Sequence, residues 1–229
     1  MIIVKFLRFL DKNIHKKRII KSLQNSSIET IIDVGAHKGE FIASILKINS
    51  VNKIFGFEPQ KKIFNILRKK FLYDKKIYLK NIAIGKKKEN KIMKINKLSE
   101  TSTLSNINNN SLFLKIKNLF LFKKNSIIYN QKVYVNTLDS IFKKKFLVNN
   151  NILLKIDTEG YELNVLKGFK KKICNVKYIL IENQFSHMYK NNNFQKCHIY
   201  LINRKFKLVK RFIFPTLHYE DRLYLNEKL

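Results

Sequence analysis

Short runs of aliphatic and β-branched residues alternate along this chain with stretches whose apolar residues recur at helical spacing. No other feature constrains the fold as much. Residues 27–34 form an apolar run, with Ile31, Ile32 and Val34 leading into Gly35, and residues 38–47 then place Phe41, Ile42, Ile45 and Leu46 on one stripe. Residues 53–58 are apolar again. Pro59 stands where a helix can begin, and Ile63, Phe64, Ile66, Leu67 and Phe71 keep the helical period. A third run covers 77–84. A β-α-β-α-β order predicts a parallel sheet with right-handed crossovers and helices on both faces.

The middle of the chain breaks this rhythm. Residues 90–97 alternate like an edge strand, 99–111 are rich in Ser, Thr and Asn and read as a loop, and 112–122 are apolar and basic and read as a helix. A short strand is expected at 132–135 and a helix at 137–146. The alternation then resumes, with strands at 151–156, 177–182 and 206–214, helices at 161–169 and 194–203, and a last short strand at 222–226 that can run antiparallel. With 229 residues and no internal repeat or linker, the chain reads as one α/β domain over 27–229. Residues 1–26 read as an amphipathic helical extension, and 98–130 as a variable insertion on the substrate side.

Composition is less informative than it first looks. Against 16 acidic residues stand 47 Lys and Arg, a net charge of +31, which by itself points to nucleic acid or an anionic membrane. The excess is mostly lysine, however, and it comes with abundant Asn and Ile, as an A/T-rich genome would produce for any function. The basic runs at 16–18, 86–88, 143–145 and 170–172 are scattered, so a dedicated nucleic-acid surface is not expected. Cys174 and Cys197 have neither metal nor redox spacing, which suits reduced thiols in a cytoplasm. Near the N-terminus, Ile3, Phe6, Leu7 and Leu10 recur at helical spacing between Lys5 and Arg8. The first reading is a helix packed on the domain, and the second is a basic helix resting peripherally on a membrane. No stretch reaches the ~18 uncharged apolar residues of a spanning helix.

Four places carry candidate chemistry. In 31–41, IIDVGAHKGEF, a strand ends at Asp33 and a turn bearing Gly35, Ala36, His37 and Gly39 opens a helix. The spacing D-x-G-x-x-x-G lacks the tight pyrophosphate cradle of a dinucleotide fingerprint and suits an adenosyl ligand without phosphates. In FGFEP, Glu58 ends the next strand 25 positions after Asp33, where an acid can take both ribose hydroxyls. Asn81 and Ala83, at the end of the third run, fall beside an adenine. In 153–169, LLKIDTEGYELNVLKGF, Lys155, Asp157 and Glu159 share one side of a strand mouth. In YILIENQ, Glu182 ends the neighbouring strand beside Asp157, so two carboxylates can raise one another's pKa and supply a general base. The same pair, with Asn183, could bind a divalent cation, although no metal is assigned to the site and no His/Cys cluster suggests zinc. His187 and His218 are alternative bases.

Together, DVGAHKGEF, FEP, NIAIG, TSTLS, NTLDSI, LLKIDTEGYELNVLKGF and ILIEN resemble the FkbM-type methyltransferases over residues 30–184, about two-thirds of the chain. His37 stands where that family often has asparagine, and 112–122 matches none of its motifs. The resemblance implies a seven-stranded, Rossmann-like class I methyltransferase sheet. It also implies transfer of a methyl group from S-adenosylmethionine to a hydroxyl, often of a sugar, glycan or secondary metabolite. Asp33, Gly35, Ala36, His37 and Gly39 would line the methionine end, Glu58 would hold the ribose, and Asn81 with Ala83 the adenine. Lys155, Asp157 and Glu159 would stand near the methyl group, with Asp157 or Glu182 as the base. Two other readings compete. A methyltransferase acting on nucleic-acid amines needs an N-P-P-like element, which a chain with only Pro59 and Pro215 cannot form, so only ribose methylation is open. A non-catalytic S-adenosylmethionine-binding module would have no need of Asp33, Glu58 and Asp157 together.

Overall fold

The structure is a computed structural model that describes residues 2–97, 99–105, 127–143, 151–184, 194–217 and 219–229. Its N-terminal helix α1 (Ile2–Leu10) passes through a π-helical turn, Asp11–His15, into α2 (Lys16–Leu23). The alternating unit follows as β1 (Thr30–Val34), α3 (Glu40–Ile45), β2 (Lys53–Phe57), α4 (Lys61–Lys70) and β3 (Ile77–Lys80). Next come β4 (Ala83–Ile84), β5 (Glu89–Asn96), β6 (Ile127–Asn136) and the short α5 (Leu138–Ile141). The chain closes with β7 (Ile152–Ile156), α6 (Glu162–Lys167), β8 (Tyr178–Gln184), α7 (Phe194–Ile202), β9 (Phe206–Ile213) and β10 (Tyr219–Asn226).

Seven strands form one sheet in the order β3-β2-β1-β7-β8-β10-β9. The pairs from β3 to β8 are parallel, and β10 lies antiparallel between β8 and β9, as the sequence pattern allowed. Strand alternation sorts the core into two layers. Ile31, Leu153, Leu180 and Leu223 face α2, α3 and α4, whereas Ile32, Val34, Leu154, Ile156 and Ile181 face α5, α6 and α7. The sheet order reverses between β1 and β7, so a crevice opens beyond their carboxyl ends.

Three expectations change in the structure, the first being the short strand expected at 132–135, which is the ten-residue β6 at the centre of a second sheet. The run 77–84 is not one strand. Phe57 is paired with Lys80 where β2 and β3 end together, and Pro59 beyond it has no N–H to extend the ladder. Ala83 and Ile84 instead join that second, three-stranded sheet, β4-β6-β5. The helix expected over 137–146 is helical only from Leu138 to Ile141, where Thr137 caps it through Ser140 N–H, and Phe142 is already extended. Residues 144–146, the segment 112–122, His187 and His218 lie outside the described residues. No described helix is long and apolar enough to cross a membrane.

Candidate active site

The turn after β1 is shaped by another loop. Gly35 has φ +86°, and a Cβ there would lie 1.8 Å from the carbonyl oxygen of Asp157, whose own N–H donates to Val34 O at 3.0 Å. The need for glycine at 35 is thus contact between the loops after β1 and β7, and not only approach of a ligand. Gly35, Ala36 and His37 line a cavity of about 1060 Å³ above the strand ends. Gly39 is set back from it. With φ +74° it opens α3, and a Cβ would run into Phe71 and Leu67. Asp33 is also set back, fully buried in the sheet opposite its cross-strand neighbour Lys155, with Nζ 3.3 Å from its carboxylate. Burial raises the Asp33 pKa and the Lys155 charge opposes that rise.

Glu58 caps β2 and faces the cavity. Its Oε2 accepts the His37 N–H at 2.9 Å and its Oε1 the Gln60 N–H at 2.7 Å, which leaves each oxygen a further lone pair. Burial pushes its carboxyl up to about 7, against the lowering effect of those amides and of His37. Ala83 lines the wall with Ile82 and Ile84. Asn81 does not stand there. Its side-chain NH₂ donates to the carbonyls of Glu58 (2.8 Å) and Pro59 (3.1 Å), so it fixes the turn that carries Glu58.

The β7–β8 side is crowded with charge. Lys155 Nζ lies 3.1 Å from Asp157 Oδ2 as well as near Asp33. Burial disfavours the Lys155 cation, but Asp157 and Asp33 outweigh it and hold its pKa above the usual lysine value. Carboxylate oxygens of Asp157, Glu159 and Glu182 lie within 4.8 Å of one another. The Gln184 amide donates to Glu159 and, at 3.1 Å, to Glu182. Burial, together with Asp157, Glu159 and Asp221, raises the Glu182 pKa well above the carboxylate range. Asn183 alternates to the opposite strand face and donates to Glu220 at 3.0 Å, so Glu159 and not Asn183 completes the oxygen cluster. Glu162, the last acid of the D-x-E-G-x-E run, is spent on the turn itself. It accepts the N–H and O–H of Thr158 (3.2 and 3.1 Å) and the N–H of Gly160 (2.9 Å).

Sequence reasoning missed the roof. The turn Asp11–His15 brings His15, 1% exposed, to 2.7 Å from Asp221 Oδ2, with its ring edge-on to Phe214 and Tyr219. Leu7, Arg8, Asp11, His15 and Ile19 all line the cavity. A π-helical turn re-aims side chains in this way, but only a histidine on the buried stripe hinted at it in the sequence. A strap of residues 99–105 closes another side. His37 Nε2 meets Ser99 Oγ at 2.8 Å, and Thr103 and Ser105 donate to the carbonyls of Glu159 (2.6 Å) and Gly160 (2.7 Å). Asp11, Glu40, Glu58, Glu100, Asp157, Glu159, Glu182 and Asp221, half of the chain's 16 acidic residues, line this one cavity.

An open seven-stranded sheet with this strand order, holding its cavity over the carboxyl ends where the order reverses, is the architecture of Rossmann-like methyltransferases. A methyltransferase domain of bacterial CtHen1 superposes with TM-score 0.52 at 9% identity, covering 94% of this chain and 98% of that one. A SAM-dependent methyltransferase from Aquifex aeolicus gives 0.50 at 11%, covering 95% and 93%. Sp1610 of Streptococcus pneumoniae, a candidate tRNA (m1A22) methyltransferase in complex with S-adenosyl-L-methionine, gives 0.52 at 11%, covering 91% and 72%. At these identities the likeness is one of fold. No curated protein matches the chain in sequence. The family profile of the Methyltransferase FkbM domain matches residues 33–218, and the chain belongs to that family of methyltransferases.

Proposed function

We propose that this chain transfers the methyl group of S-adenosylmethionine to a hydroxyl of a sugar, glycan or secondary metabolite. The observation that carries the reading is the division of one cavity between two kinds of acid: Glu58 held by backbone amides on the β2 side, and the Asp157–Glu159–Glu182 cluster on the β7–β8 side. The residues fit the donor. Glu58 has a free lone pair on each oxygen for the two ribose hydroxyls, Ala83 and its neighbours offer an apolar wall for the adenine, and the acidic lining suits a sulfonium cation. S-Adenosylmethionine supplies an activated methyl group and needs little beyond alignment with the nucleophile. Gly35, Ala36 and His37 form the methionine end. Asp33, Gly39 and Asn81 act from behind the wall, positioning Lys155, α3 and Glu58 respectively.

On the other side, Asp157 or Glu182 is the base. Burial, with Asp157 and Glu159 beside it, raises the proton affinity of Glu182, and the cluster offers carboxylate oxygens to receive the acceptor's hydroxyl proton. Lys155 holds Asp157 in place and Gln184 holds Glu159 and Glu182. Acceptor-only carboxylates match a ligand rich in hydroxyl donors, and they repel phosphates, which favours a glycan over a nucleic-acid ribose. The cluster could also hold a hard divalent cation through oxygen.

The test is calorimetric titration with S-adenosylhomocysteine of the wild type beside Glu58→Ala. Binding by the wild type and its loss in the variant is the expected result, and a folded wild type that binds nothing would falsify the reading. Methyl-labelled donor offered with sugar acceptors and with RNA then separates the substrates. Label on RNA ribose alone would remove the glycan assignment and keep the rest.

A further inference from the structure

The segment that roofs the cavity has a second face that no other part of the described chain covers. Leu7 and Leu10 of α1 turn inward, while Phe6 and Phe9 are 56% and 58% exposed, flanked by exposed Lys5 and Arg8. One turn further on, Ile14 is 40% exposed among Lys12, Lys17 and Arg18. Asp11, the only acid in residues 1–28, lines the cavity and pairs with Lys16, so the outer face of this segment is basic and apolar apart from Asn13. Phe6 and Phe9 stand one turn apart on the same helix, so they form a joint apolar patch and not scattered single residues.

We propose that this face docks the enzyme on an anionic phospholipid bilayer. Phe6 and Phe9 enter the headgroup boundary while Lys5, Lys17 and Arg18 meet lipid phosphates, and the cavity that the same helix roofs then opens beside the membrane surface. Charge complementarity selects the partner: the segment's own outward residues include cations and no acid, and apolar anchors among cations are what an anionic bilayer binds. A nucleic-acid site fits less well, because the sequence of α1 has two basic residues against seven apolar ones and its inner edge faces the acid-lined cavity. A chain of contacts joins the same helix to the site. Arg8 Nε donates to Glu100 Oε1 at 3.0 Å, and Glu100 adjoins Ser99, which contacts His37 and Gln60. The inference does not depend on which acceptor is methylated.

The experiment is flotation of the full chain with vesicles of phosphatidylglycerol and phosphatidylcholine in equal parts, beside vesicles of phosphatidylcholine alone. The wild type, Phe6→Ser/Phe9→Ser and Lys5→Ser/Lys17→Ser are compared. None of these four residues lines the cavity, so circular dichroism and S-adenosylhomocysteine binding report folding independently. The wild type is expected to float with the anionic vesicles only, the phenylalanine pair to lose about tenfold or more in partitioning, and the lysine pair to lose less. A wild type that stays off anionic vesicles overturns the proposal. So does a folded phenylalanine variant that floats as well as the wild type, and so does retention of an RNA oligonucleotide without retention on vesicles.

Discussion

On the β2 side of the cavity Glu58 sits alone between two backbone amides, whereas on the β7–β8 side Asp157, Glu159 and Glu182 crowd one another around a single lysine and a glutamine amide. Both arrangements raise carboxyl pKa values, by different means. Glu58 rises to about 7 because it is buried, and the amides that grip it oppose the rise. Glu182 rises through burial and also because its neighbours are themselves acids. Amides fix an acid in place without competing for its charge, which suits a hydrogen-bond acceptor for a bound ligand. Mutual repulsion creates proton affinity, which suits a base.

The sharpest way to break this contrast is to neutralise one side at a time. Asp157→Asn and Glu182→Gln are each expected to lower kcat by about 10²–10⁴-fold while S-adenosylhomocysteine affinity stays close to that of the wild type. Glu58→Gln is expected to do the reverse, weakening affinity with a smaller effect on kcat at saturation. If both sides affect the same constant, the division of labour is wrong.

Next in size is the ion cluster beneath both halves. Lys155→Met leaves Asp33 buried without its cation and is expected to cost about 3 kcal/mol in denaturant unfolding, with part recovered in Lys155→Met/Asp33→Leu. No recovery would mean that Lys155 stabilises through Asp157 alone. His15→Ala removes the partner of Asp221 and a buried ring from the roof, for an expected loss of about 2 kcal/mol. His15→Asn should recover some of that loss if the hydrogen bond matters, and none if only the ring packing does.

The smallest effect is in pH. The folded Glu58 binds its proton more tightly than an unfolded glutamate, so its contribution to stability is complete below about pH 4.5 and is lost as the pH rises through about 7. Hydroxyl donors of a bound ligand prefer the carboxylate, so S-adenosylhomocysteine affinity should move the other way and rise about tenfold from pH 6 to pH 8. In Glu58→Gln that slope should vanish. A slope that survives would assign the titration to another group.

Much of this site could be read from the sequence, because strand ends announce themselves locally. An apolar run that stops at a charged residue and a glycine marks a carboxyl edge, and Glu58, Lys155, Asp157, Glu159 and Glu182 were all found that way. Distance from the cavity could not be read. Asp33, Gly39 and Asn81 sit in the right motifs yet work from behind, since strand alternation, a left-handed cap and a side-chain amide turned to the backbone decide which way each points. Ala83 reaches the wall from a different sheet than its run suggested.

The sequence by itself determined the alternating order of elements and the acids at the strand ends, because periodicity and strand-end chemistry are encoded within a few residues, while the count of seven strands in one sheet came from the family resemblance. Only the tertiary structure decided how the cavity is closed. His15 and Asp221 are 206 positions apart, and both fall outside the matched region 33–218. Their contact depends on a helical turn and an antiparallel strand arriving at one place, and no local pattern carries that information.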